Sequence, residues 1–316
     1  MLAKNARTTR GIRFYPLSLT PIASLLAPTV GSSLIGRWPT GSADLASKAF
    51  PSDKKRTRMA DPMDFHGKVV LVTGGGKGVG RGITQRFLDC GAEVVICGRE
   101  APPSLPASGG REALFVACDL RDVEQSGRLI AQIVERFGRL DVLVNNAGGS
   151  PNADAATASP RFSEAIIRLN LIAPLNLCQQ ANQVMQAQAD GGAIINICSV
   201  SATRPSPGTA AYGAAKAGLL NLTTSLAVEW APKVRVNAVT AGLILTEQAA
   251  MHYGDDAGIA RVAATIPLQR LANPEDIGDT CLYLASSLAR YVSGADIAVH
   301  GAGERPAFLD AAQSHS

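Results

Sequence analysis

Between residues 64 and 303, short apolar runs alternate with longer segments of helical periodicity. Val69-Val70-Leu71-Val72 reads as a first strand, followed by a glycine-rich turn and an amphipathic helix from Val79 to Cys90. Gly91 stops that helix, and Glu93-Val94-Val95-Ile96-Cys97 is a second strand. Residues 101–112 are rich in Pro, Ser and Gly and predict a surface loop. Ala113-Leu114-Phe115-Val116-Ala117 is a third strand, and apolar residues at helical spacing predict a helix over Val123–Phe137. Leu140-Asp141-Val142-Leu143-Val144 is almost continuously apolar, as expected of a parallel strand covered on both faces. A small polar loop over 149–160 leads to a long helix over 162–189. Ala193-Ile194-Ile195-Asn196-Ile197-Cys198 is a fifth strand opened by Gly192, and Val234-Arg235-Val236-Asn237-Ala238-Val239 is a sixth. Another long helix, over 210–230, lies between them. A variable segment over 247–267, a helix over 274–288 and a strand over 295–299 close the pattern. Regular strand–helix alternation predicts one doubly wound, mostly parallel α/β domain over 64–303.

Charge changes the picture at the N-terminus. Residues 1–63 carry 10 Lys+Arg against 3 Asp+Glu, whereas 64–316 carry 20 against 23. The basic balance therefore belongs to the leader, and the domain offers no basic face for nucleic acid. The leader is rich in Arg, Ser, Thr and Pro, with no acidic residue before Asp44. It reads as an organelle transit peptide, a disordered tail, or sequence upstream of a true start at Met59 or Met63. Pro16, Pro21 and Pro28 break its apolar stretch, which argues against a membrane span. The six cysteines form no C-x-x-C pair and mostly sit in apolar runs. They read as reduced, buried residues of a cytosol-like compartment, with no metal or nucleophilic role. A genuine transit peptide would place the protein in the mitochondrial matrix instead.

The chemistry begins at Thr73-Gly74-Gly75-Gly76-Lys77-Gly78-Val79-Gly80, between the first strand and helix. Glycines permit positive φ and leave no Cβ in the way of a bound phosphate. The helix that follows directs free N–H groups and partial positive charge at the turn, making a pyrophosphate cradle. At the end of the second strand, a dinucleotide site carries an acidic residue for the ribose hydroxyls or an Arg for a 2′-phosphate. Here the acidic position is Gly98 and the next residue is Arg99. Arg99 and Lys77 together favour NADP(H) over NAD(H), and the competing reading has Glu100 take the ribose.

Three further stretches carry the argument. The fourth strand ends in Asn145-Asn146-Ala147-Gly148. The fifth runs into Ser199, thirteen residues before Tyr212, and Lys216 follows Tyr212 at i+4 on the same helix face. Asn170 sits inside a predicted helix with apolar neighbours, a poor place for Asn without a use for its amide. With the glycine turn, these motifs stand in the order and at the intervals of the short-chain dehydrogenase/reductase family, which the chain resembles over about 64–303.

The resemblance implies a seven-stranded sheet and hydride exchange between a nicotinamide cofactor and a ketone or secondary alcohol. Asn170, Ser199, Tyr212 and Lys216 match the family's catalytic tetrad, with Ser199 chosen over Ser201 by its spacing to Tyr212. In that role Tyr212 is the acid/base and Lys216 lowers its pKa and holds the nicotinamide ribose. Asn170 holds a kink and a water. Cofactor contacts carry over to Thr73, Gly74, Lys77, Gly78, Val79, Gly80, Arg99, Asp119, Leu120, Asn146, Ala147, Gly148, Gly242, Ile244 and Thr246. The family's Pro-Gly is Ala241-Gly242 here, a departure in the turn. A lid rich in Ala, Leu and Ile suggests an apolar substrate, with Met251, His252 and Tyr253 facing it or merely packing. A 3-oxoacyl-thioester reductase is an alternative within the class. A catalytically silent cofactor-binding sensor is the alternative outside it. Two long apolar helices imply a homodimer or homotetramer, and the tail 304–316 is expected to reach toward a neighbouring subunit.

Overall fold

The computed structural model describes residues 61–313; the readings of the leader over 1–60 lie outside the described residues. Seven strands form the sheet: β1 Val69–Thr73, β2 Glu93–Gly98, β3 Leu114–Ala117, β4 Val142–Asn145, β5 Gly192–Ser199, β6 Val234–Ala241 and β7 Asp296–Val299. Their spatial order is β3-β2-β1-β4-β5-β6-β7, and every pairing is parallel. The chain reverses its direction of winding between β1 and β4, and ligands bind beyond the carboxyl ends of strands at such a switch. The glycine turn leaves β1 there, and Asn145-Asn146-Ala147-Gly148 leaves β4 beside it.

Alternation along each strand divides the core into two layers. Leu71, Val95, Leu143, Ile194 and Val236 face helices α2 (Val123–Phe137), α4 (Ala173–Ala187) and α5 (Ala210–Trp230). Val72, Ile96, Val144, Ile195 and Val239 face α1 (Gly78–Asp89) and α8 (Pro274–Ala285). Both faces of the sheet are therefore apolar, which is why the strands read as continuous runs.

The structure departs from the sequence reading in three places. Residues 101–112 contain a hairpin, Ala107–Ser108 paired with Arg111–Glu112, where a plain loop was expected. Gly109 and Gly110 turn it with φ of +56° and +78°, the conformation that two-residue hairpins require. The helix expected over 162–189 is three pieces: α3 (Pro160–Ile167), a π-helical turn over Arg168–Ile172, and α4. Finally, the variable segment 247–267 is ordered into α6 (Ala249–Tyr253) and α7 (Asp256–Thr265). The tail forms α9 (Ala307–Gln313), and Glu304 before it bonds Arg204 of its own chain.

Candidate active site

The glycine turn is built as a phosphate cradle. Gly74 and Gly78 have φ of +65° and +51°. A Cβ on Gly80 would collide with the Gly74 carbonyl and stand 2.5 Å from the Asn146 amide nitrogen. Helix α1 starts at Gly78, and its first N–H points at the carboxylate of Glu247, 3.2 Å away. An anion already sits where the helix end attracts one. The cavity beginning here measures about 1010 Å³ and runs past Lys77, Gly78, Val79 and Gly80 to the ends of β4, β5 and β6. Bare backbone, an anion-seeking helix end and this length suit a dinucleotide.

At the end of β2, Arg99 lines the cavity, whereas Glu100 is exposed and does not. Asp119 and Leu120 line the same end. The Asp119 carboxylate accepts a hydrogen bond from Arg121 Nε at 2.9 Å, and that guanidinium holds its carboxyl below the usual range. Arg121 is thus a further cation of this wall, which sequence reasoning missed. Its position two residues after Asp119 was the available signal.

Thr73 does not reach the cavity. It is buried, and its hydroxyl donates to the Val144 carbonyl and accepts from the N–H groups of Asn146 and Ala147. Thr73, expected as a cofactor contact, ties β1 to β4. Asn146 completes the strap through its side-chain amide, which donates to the Thr73 carbonyl at 2.9 Å. Asn146, Ala147 and Gly148 line the cavity, while Asn145 turns inward and donates to Asn196 Oδ1 at 2.9 Å.

Asn170 is buried and also stands off the cavity. Its Nδ2 donates to the carbonyls of Gly149 at 3.0 Å and Ile166 at 2.9 Å, and its Oδ1 accepts from Gly149 N–H. The bond to Ile166 diverts a carbonyl that the helix would otherwise use, and Ala173 N–H reaches back five residues to Arg168. A local distortion here is what the family resemblance implied for Asn170. It holds the loop after β4 by its backbone.

Ser199, at the end of β5, and Tyr212 and Lys216, on α5, meet on one wall of the cavity. Lys216 Nζ is buried, donates to the Ile197 carbonyl at 2.7 Å and lies 5.7 Å from the Tyr212 ring centre. Burial raises the Tyr212 pKa above its ordinary value, and the hydrogen bond from Ser199 only partly offsets this. Burial pushes the Lys216 pKa down as well. Ser201 is turned away and accepts from the Ser206 hydroxyl.

Gly242, Ile244 and Thr246 form the far wall after β6. Gly242 must be glycine, since a Cβ there would stand 2.7 Å from the His300 Cβ. The lid contributes Glu247, Gln248, His252 and Tyr253 to the lining, while Met251 is 78% exposed and lines none of it. The lid's composition suggested an apolar substrate, whereas the lid residues that line the cavity are mostly polar. Glu247 went unnoticed in the sequence, although it directly follows Thr246.

The family described as "Enoyl-(Acyl carrier protein) reductase" matches residues 74–302. The chain belongs to the short-chain dehydrogenase/reductase family. It is 35% identical over 254 residues to the 3alpha-hydroxysteroid dehydrogenase of Mediterraneibacter gnavus, covering 76% of this chain and 98% of that one. It is 36% identical over 244 residues to the L-rhamnose 1-dehydrogenase (NAD(P)(+)) of Azotobacter vinelandii, covering 74% and 95%. Among solved structures, a short-chain alcohol dehydrogenase from Sinorhizobium meliloti aligns with a TM-score of 0.69 at 33% identity, covering 76% of this chain and 98% of that one. This family member is an oxidoreductase acting on alcohols and ketones with an NAD(P) cofactor. Among the described residues, no group of His, Cys, Asp and Glu is placed to hold a metal, and no helix is long and apolar enough to cross a membrane.

Proposed function

We propose an NADP(H)-dependent oxidoreductase of a secondary alcohol or ketone, with Tyr212 as the group that exchanges the proton. The observation that carries it is the meeting of Ser199, Tyr212 and Lys216 on one cavity wall continuous with the glycine cradle. When bound, the cofactor supplies or takes up hydride at the substrate carbon. The backbone of Gly74 to Gly80 would hold its pyrophosphate, and Asn146 to Gly148, Gly242, Ile244 and Thr246 its nicotinamide half. Lys77, Arg81, Arg99 and Arg121 line the cradle and the adenosine end, where Asp119 is already paired to Arg121. That balance suits a 2′-phosphate better than free ribose hydroxyls.

In reduction, the Tyr212 hydroxyl gives its proton to the carbonyl oxygen as hydride reaches the carbon. In oxidation, the phenolate takes the alcohol proton. Ser199 bonds the same substrate oxygen. Lys216 compensates charge that forms on Tyr212. Asn170 is a positioning residue that acts through the Gly149 backbone. A homodimer or homotetramer is part of this reading, supported by the small side chains Ala214 and Ala217 and by Val228 on the exposed face of α5. So is a reducing compartment such as the cytoplasm, supported by six unpaired cysteines, five of them buried. Residues 64–303 make up the catalytic unit.

The test follows the absorbance of reduced cofactor with NADP and NAD side by side, over ketones, secondary alcohols and 3-oxoacyl thioesters. NADP-linked turnover that Tyr212→Phe lowers by about 10²–10⁴, with cofactor binding retained, supports the reading. Binding of cofactor without turnover by the wild type refutes the enzymatic proposal, and a preference for NAD refutes the assignment of Arg99.

A further inference from the structure

A second cavity of about 160 Å³ adjoins the first. Gly242 lines both cavities, and Val200, next to Ser199 in the chain, lines the smaller one. Its polar wall comes from three distant segments. Arg204 follows β5, His300 follows β7, and Glu304 opens the tail. Arg204 donates to Glu304 Oε1 at 2.8 Å. The His300 Nδ1 is buried with no hydrogen-bond partner. Tyr253 of the lid is close enough to feel the charges of both Glu304 and Arg204. The backbone that brings Glu304 into place is unusual. Gly301, Ala302 and Gly303 have consecutive φ values of +64°, +73° and +82°, and Ala302 is one of two non-glycine residues with positive φ among those described. Left-handed alanine is strained, and strain of this kind persists where the surroundings impose it.

We propose that this cavity is a subsite for adjacent hydroxyl groups, so that the substrate is a sugar or sugar-like polyol. The inference rests on the reading of Ser199 and Tyr212 given above. The charges decide the chemistry. A carboxylate or phosphate drawn to Arg204 would meet Glu304, and an ammonium drawn to Glu304 would meet Arg204. A neutral diol satisfies both: one hydroxyl donates to the carboxylate and its neighbour accepts from the guanidinium. His300 Nδ1 is available to a third. The volume equals the share of about five waters, room for a few hydroxylated carbons. Arg204 and Glu304 already pair with each other, so an apolar substrate would leave His300 Nδ1 unpartnered, where a hydroxyl would satisfy it.

The test compares kcat/KM for a panel of aldohexoses and 6-deoxyaldohexoses with kcat/KM for cyclohexanol in the full chain, Arg204→Met and Glu304→Gln. The wild type should prefer at least one sugar by tenfold or more. Each variant should lower that ratio at least tenfold, chiefly through KM for the sugar. Melting curves and cofactor titration check the variants, and Glu304→Gln, nearly isosteric, decides if Arg204→Met fails to fold. Equal or better use of cyclohexanol by the wild type, or an unchanged ratio in a folded variant, overturns the subsite and leaves the proposed oxidoreductase standing. Cofactor binding with no turnover of either class overturns both.

Discussion

Burial acts in opposite directions on Tyr212 and Lys216, raising the phenol and lowering the ammonium. Each shift disfavours the charged form of its group. A neutral phenol is a proton donor, the protonation state that carbonyl reduction needs. Ultraviolet titration of the free protein, as a difference between wild type and Tyr212→Phe, should therefore show Tyr212 ionising above the ordinary tyrosine value of about 10. Adding oxidised cofactor should move that step downward, because a nearby positive charge favours the phenolate. A step already near neutral pH in the free protein would mean that Lys216 keeps its charge and outweighs burial. The Tyr212–Lys216 spacing was legible in the sequence. The sign of the shift was not, since it depends on how completely the two side chains leave water.

Two elements set the state of the cavity mouth. The π-helical turn around Asn170 fixes the loop after β4 through Gly149, and a Cβ on Gly148 would stand 2.5 Å from Asn170 Oδ1. Opposite, the segment before α6 places the Glu247 carboxylate on the first N–H of α1. A carboxylate there is an exposed stand-in for phosphate, stabilised by about 0.3–1 kcal/mol. Cofactor phosphate must displace it. Glu247→Gln should tighten cofactor binding by about 2–5-fold in a fluorescence titration, the same energy expressed as affinity. Weaker binding would identify Glu247 as a cofactor contact in its own right. The sequence marked Asn170 as out of place in a helix, but the partner that Glu247 finds lies 169 residues away.

For the whole molecule, α5 is the element with an unmatched surface. Its inner face packs on the sheet through Leu219 and Leu226. Its outer face presents Ala214, Ala217, Asn221, Thr224 and Val228 at helical spacing, with Val228 81% exposed. Small side chains allow two helices to approach closely, and symmetric self-pairing is the usual form of such contacts. Light scattering should give the mass of two or four chains, and Ala217→Arg should shift it toward one. A wild-type mass of one chain at micromolar concentration would refute the assembly.

The apolar rhythm, the glycine turn and the spacing from Ser199 through Tyr212 to Lys216 settled the fold class, because strand order follows from repeated strand–helix units and their fixed handedness. They also pointed to the carboxyl ends of β1, β4 and β5 as the candidate site. Tertiary structure decided what each candidate touches. It turned Thr73 and Asn170 into braces, joined Arg121 to Asp119, and gave the lid a polar inner side. It also brought Arg204, His300 and Glu304 together from segments up to 100 residues apart. Local patterns report on neighbours in the chain, whereas hydrogen bonds, burial and charge balance are set by neighbours in space.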